Sequence, residues 1–250
     1  MNLEKYLTIS IPTHILPSAP STEVIEKTIC SIRSNFIGVE KCKFVIYCDS
    51  REESSVKDLY IKNLNNIKNI RVVDTLRSSL QENYLKGLID SVTPFVFCCE
   101  HDWIFLREVD TPKLIKAMVK YNFINFVRFN LRNNDELQRD VCDTGGPMPP
   151  NWREEAVQDL RVTEQPLIKT HSTATHPHVI RRDKFLKDWL AIAETRGDAV
   201  GQIEMNLFRA YTKDISTMGF TSAHKKWGVY NYGAKSDSKI IEHSDGNRKR

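Results

Sequence analysis

Phe95-Val96-Phe97-Cys98-Cys99-Glu100-His101-Asp102 decides the fold class. Its five leading apolar residues read as a strand, and a strand apolar at every position is covered on both faces. Three further runs precede it: Leu7-Thr8-Ile9-Ser10-Ile11, Phe44-Val45-Ile46-Tyr47-Cys48 and Ile70-Arg71-Val72-Val73. The first is expected to stop at Pro12, because proline cannot donate to a central ladder. Between the runs lie helical patterns. Ile25, Thr28, Ile29, Ile32 and Phe36 share one face; Val56, Leu59, Tyr60 and Leu64 mark a second helix; Leu80, Tyr84, Leu85 and Leu88 mark a third. Strand and helix alternating at this spacing imply βαβ crossovers. The predicted fold is α/β, a three-layer α/β/α sandwich with a mainly parallel central sheet in a single domain.

Beyond the fourth strand, Thr111-Pro112 caps a further helix, and residues 123–129 read as a fifth strand. From Asn133 to Arg161 the pattern is lost, and Gly145-Gly146-Pro147 falls within it. So long an irregular stretch is commonly functional. Helical spacing returns at Phe185, Leu186, Trp189 and Leu190, and again at Ile203, Leu207, Phe208 and Tyr211.

Composition narrows the function. The chain has 250 residues, 40% hydrophobic and 27% charged, enough to bury a core without disulfides. Its net charge of +4 is too small to require nucleic acid as a partner. The six cysteines form no CxxC pair and read as reduced residues of a cytoplasmic protein. No apolar run is long enough for a membrane span, and the first residues lack a secretory pattern.

Open α/β sheets bind ligands at the carboxyl ends of their strands. Here those ends carry Pro12-Thr13-His14, Asp49-Ser50-Arg51 and Glu100-His101-Asp102. Neither a GxGxxG nor a GxxxxGK[ST] motif occurs, so dinucleotide and P-loop sites are unsupported. Two carboxylates closing a buried strand repel each other unless a cation lies between them. A divalent metal with oxygen ligands meets that need and would hold a diphosphate in turn. The plainer reading is a solvated acidic turn.

The order of these features resembles nucleotide-sugar-dependent glycosyltransferases of the GT-A, Rossmann-like fold, family-2 type. Leu7 to Thr13 is similar to that family's opening strand, the run ending at Asp49-Ser50 to its second strand, and Gln81 to Gly87 to its Asn- and Gly-bearing helix. Glu100-His101-Asp102 falls where the family keeps its metal-binding DxD, with Glu100 departing from Asp and leaving Asp102 as the safer ligand. The resemblance covers about the first 105 residues.

It implies transfer of a single sugar from a UDP- or GDP-linked donor to a glycan or other hydroxyl acceptor, with inversion and with Mn²⁺ or Mg²⁺. Pro12, Thr13, His14, Asp49, Asn83 and Asp102 would hold the donor; Glu100, Asp102 and His243 would hold the metal. An acidic residue must deprotonate the acceptor, because a neutral hydroxyl is a weak nucleophile. Glu204 is the first candidate and Asp198 the second. Residues 1–130 would form the donor half, 131–234 the acceptor half and 235–250 a polar tail. His176-Pro177-His178 reads as structural or as part of the acceptor site, since no third ligand stands at a fixed spacing. Arg181 and Arg182 would face phosphate or cap a helix, and Trp103, Trp152 and Trp227 offer stacking surfaces. Two other readings stay open: a nucleotidyltransferase on a related sheet, and a non-catalytic nucleic-acid or glycan-binding module.

Overall fold

The computed structural model describes residues 1–16, 18–50, 55–76, 78–134, 164–170, 173, 176–194 and 203–244. The fold is α/β: mixed, mainly parallel strands alternate with helices, and a small second sheet is added. The chain divides into two units, Met1–Pro112 with Glu242–Arg250, and Lys113–Ile241.

Unit one contains β1 (Leu7–His14), α1 (Glu23–Asn35), β2 (Lys43–Ser50), α2 (Ser55–Asn65), β3 (Ile70–Leu76), α3 (Leu80–Asp90) and β4 (Phe95–Cys98). The strand order β3-β2-β1-β4 is parallel throughout. β1 does not stop before Pro12; it runs on to His14 with β2 alongside. Proline is tolerated because the pairing with β4 ends at Ser10–Cys98, so beyond that point β1 has a ladder neighbour on only one side.

The helices form for local reasons. α1 buries Ile25, Thr28, Ile29 and Ile32 and carries Glu23 and Glu26 in its first turn, where the helix dipole favours acid. α3 begins with a capping box: Ser79 N–H donates to Glu82 Oε2 at 2.6 Å and Glu82 N–H to Ser79 Oγ at 3.2 Å. α3 lies so close to β1 that a Cβ on Gly87 would stand 2.1 Å from Ser10 Oγ. Phe36, Phe97 and Phe105 complete the core, with ring centroids 4.7 to 5.8 Å apart. β5 (Trp103–Phe105) pairs with β10 (Ile241–His243) in the small sheet.

Unit two contains most of α4 (Thr111–Lys120), then β6 (Phe126–Arg128), β7 (Leu167–Lys169) and β8 (His178–Arg181). A helical stretch, α5, runs over residues 182–193 with a π-turn at Phe185–Trp189. α6 (Ile203–Met218), α7 (Phe220–Trp227) and β9 (Val229–Tyr232) follow. The strand order is β8-β6-β9-β7, with β6 and β9 parallel and the outer two antiparallel to them. The fifth strand is thus shorter than the 123–129 expected. Only His178 of the His-x-His pair lies in a strand. Trp227 stacks between Trp189 and Tyr211, which makes Trp189 and Trp227 core residues. Gly228 ends α7 at φ 62, where a Cβ would strike the Phe123 carbonyl. Arg181 donates to the carbonyls of Met118, Tyr121 and Ile124 and so closes α4. Asp198, the Gly145-Gly146 loop, His171, Trp152 and the basic tail lie outside the described residues. Among the described residues no helix is long and apolar enough to cross a membrane.

Candidate functional site

The parallel strands of unit one bring Thr13, His14 and Asp49, all picked from the sequence, to one end of their sheet. Register sets His14 opposite Asp49, and Asp49 opposite Thr75. Asp49 is buried, at 2% exposure, while His14 is exposed. Thr13 is fully buried and its carbonyl accepts a hydrogen bond from Asn83 Nδ2 at 3.2 Å. The other side of that amide is occupied as well. Asn83 Oδ1 lies 2.5 Å from the Thr75 hydroxyl and 2.8 Å from that of Ser78. Asn83 is itself fully buried. On this geometry it clamps the ends of β1 and β3 to α3.

Asp102 follows β4 in the turn before β5 and is 6% exposed. Its Oδ2 stands 3.4 Å from His243 Nδ1, and its Oδ1 is buried with no hydrogen-bond partner. His243 Nδ1 makes no hydrogen bond either, so the 3.4 Å approach is an unclosed contact. Two features hold the pair in place. The His243 ring lies on the Trp103 indole at 3.7 Å between centroids, and Ser244 N–H donates to the Asp102 carbonyl at 2.8 Å. His101, between the two acids, is buried and meets the exposed His14 ring edge-on at 5.1 Å; its carbonyl accepts from the Thr28 hydroxyl at 2.6 Å. Glu100 is half-buried on the loop leaving β4. His14, His101, Asp102, Trp103 and His243 therefore form one neighbourhood. The pairing of Trp103 with His243 had no signal in the sequence, since the two are 140 positions apart.

The nearby thiols are poor nucleophiles. Burial, reinforced by the carboxylates of Asp74 and Asp49, pushes the Cys48 thiol up to about 12. Burial also raises Cys98 and Cys99. The five described cysteines are all free.

Among the described residues, no group of three His, Cys, Asp or Glu side chains is placed to hold a metal alone. What exists is a pair: Asp102, whose Oδ1 is buried without a partner, and His243, whose Nδ1 makes no hydrogen bond and stands 3.4 Å from the other carboxylate oxygen, Oδ2. That donor set fits a cation completed by phosphate oxygens and water, the way Mg²⁺ is commonly held. The nitrogen donor suits Mn²⁺ better than Mg²⁺.

In unit two, Glu204 stands in the first turn of α6, half-buried, with its carbonyl accepting from the Thr173 hydroxyl at 3.4 Å. Compared with known proteins, the chain matches no family model and no curated protein sequence at a significant level.

Proposed function

We infer that the chain is a metal-dependent glycosyltransferase acting on a nucleoside diphosphate sugar. The observation that carries the reading is the Asp102–His243 pair: a buried carboxylate with an unfilled oxygen, seated just past the end of a central parallel strand. A carboxylate buried without compensation is costly, and a cation at Oδ1 removes that cost. Asp102 and His243 would hold Mn²⁺ or Mg²⁺, with Glu100 on the same loop. The bound ion would supply charge neutralisation for the departing nucleoside diphosphate.

The remaining roles fall to the protein's own groups. Asp49, beside His14 and Thr75, would accept hydrogen bonds from the donor's nucleoside. Trp103 and the β5–β10 pairing orient His243. Thr13 and Asn83 fix the end of β1, so His14 presents its ring at a set position. Glu204 is proposed as the base that takes the acceptor hydroxyl's proton.

The experiment is a screen of UDP- and GDP-sugars for thermal stabilisation with and without Mn²⁺, followed by Asp102→Asn. The reading expects a metal-dependent rise in Tm with at least one sugar nucleotide, lost in the variant. Stabilisation by nucleoside triphosphates plus sugar phosphates, with none from sugar nucleotides, would favour a nucleotidyltransferase.

A further inference from the structure

Helix α1 directs a row of polar side chains at the segment that carries Asp102. Thr28, Ser31 and Asn35 stand at i, i+3 and i+7, on one stripe of the helix. The Thr28 hydroxyl donates to the His101 carbonyl at 2.6 Å. Ser31 Oγ accepts from the Phe105 N–H at 3.1 Å, and Asn35 Nδ2 donates to the Phe105 carbonyl at 3.0 Å. The stripe also fixes itself. The Ser31 hydroxyl donates to the Thr28 carbonyl at 2.8 Å, and Asn35 Nδ2 donates to that of Ser31 at 3.0 Å. With its proton committed there, Ser31 Oγ meets Phe105 as an acceptor. Side chains of α1 thus hold both backbone groups of Phe105, on a strand whose ladder partner is β10.

Two features give this stripe a bearing on the site. Thr28 lies in the buried row of α1 with Ile25, Ile29 and Ile32 and is itself fully buried. A hydroxyl there is unfavourable unless it is bonded, and a helical threonine ordinarily bonds back to its own helix. This one instead reaches 73 positions along the chain, to the residue before Asp102. The second feature is where the ties fall. Thr28, Ser31 and Asn35 all engage the backbone of residues 101–105, and Ser244 N–H takes the Asp102 carbonyl at 2.8 Å. Asp102 Oδ1 joins none of these bonds and has no partner. The backbone on both sides of Asp102 is therefore held while one carboxylate oxygen is left open, which sets the position of a ligand before the ion arrives.

We propose that Thr28, Ser31 and Asn35 are positioning residues for the cation site at Asp102: they set where the carboxylate stands and touch neither ion nor nucleotide. The inference rests on the transferase reading, through its metal-bound nucleoside diphosphate. Groups that orient a metal ligand from behind are typically worth about 10–100-fold in metal affinity. Thr28 is sealed from solvent, so water cannot replace its bond to His101.

The test is calorimetric titration of UDP and of GDP, with Mn²⁺, into wild type, Thr28→Val, Thr28→Ser and Ser31→Ala, each paired with a thermal melt. Thr28→Val keeps the shape and loses the hydroxyl, and should bind the Mn²⁺–nucleotide about tenfold more weakly. Thr28→Ser keeps the hydroxyl and should restore wild-type affinity. Ser31 is only half-buried and alanine is the better helix former, so Ser31→Ala should melt near wild type and still lose affinity. Affinity lost without a matching loss of Tm separates positioning from plain packing, and Ser31→Ala decides the matter should Thr28→Val not fold. Wild-type affinity in folded Thr28→Val or in Ser31→Ala, or no recovery in Thr28→Ser, overturns the positioning role and leaves the transferase reading standing. A wild-type protein that binds neither nucleotide in Mn²⁺ overturns that reading and this inference with it.

Discussion

Replacing Gly87 by alanine tests how α3 is held against the central strand. An alanine Cβ at position 87 would stand 2.1 Å from Ser10 Oγ, 3.1 Å from Ser10 Cβ and 3.4 Å from Tyr47 Cε2. Ser10 is fully buried, so its hydroxyl cannot swing into solvent. In a solvated helix the same change would gain about 1 kcal/mol of propensity. Overpacking a buried contact costs about 1–3 kcal/mol, and a separation of 2.1 Å belongs at the upper end. We therefore expect Gly87→Ala to lose roughly 1–2 kcal/mol net. Ser10 Oγ makes no hydrogen bond, so Ser10→Ala alone should be neutral or slightly stabilising. In the double variant the nearest pair becomes Cβ to Cβ at 3.1 Å, which a small shift relieves. The assay is urea unfolding of the four proteins as a double-mutant cycle, with an expected coupling of about 1–3 kcal/mol. If Gly87→Ala is as stable as wild type, or Ser10→Ala fails to restore it, the close approach of α3 to β1 is wrong.

Other perturbations have equally definite outcomes. Asn83→Ala removes three hydrogen bonds from a fully buried amide. It should cost about 1–3 kcal/mol in urea unfolding and loosen the end of β1. His178 and His224 are buried, and burial lowers each from 6.5 to about 4. Above pH 6.5 both rings are neutral whether folded or not; as pH falls toward 4 the unfolded chain takes up protons that the folded rings refuse. Stability should drop over that window by roughly 3 kcal/mol per ring, and His224→Gln should flatten the drop. Trp103→Phe keeps a ring beneath His243 and should retain most Mn²⁺-dependent nucleotide binding, whereas Trp103→Ala should weaken it several-fold.

The first half of the fold was readable because its signals are local. The apolar runs of β2 and β4 and the 3.6-residue spacing of Ile25, Ile29 and Ile32 each declare an element within one window. Pro12 misled for a definite reason. A proline rule applied to a single strand cannot know that β4 ends at Cys98 and leaves that side of β1 open. Three-residue strands such as β5, β6, β7 and β10 carry too few positions for alternation to show, and they exist because a distant partner pairs with them. The candidate site divides the same way. Asp49 and Asp102 could be picked out as acids at strand ends, whereas the approach of His243 to Asp102 depends on β10 pairing with β5 across the length of the chain. Asn83 was selected from its place on the third helix, whereas its hydrogen bonds to Thr13, Thr75 and Ser78 depend on how β1 and β3 end beside that helix.

The central claim is that Asp102 Oδ1 is a ligand position for a cation carrying a nucleoside diphosphate. Calorimetric titration of UDP and of GDP into the protein, with Mn²⁺ and with EDTA, measures this directly. Asp102→Ala serves as the comparison. The account predicts binding of one nucleotide that requires Mn²⁺ and weakens at least tenfold in the variant. Binding that is equally tight in EDTA, or unchanged in Asp102→Ala, would make the Asp102–His243 contact a structural tie between β5 and β10 and contradict the claim.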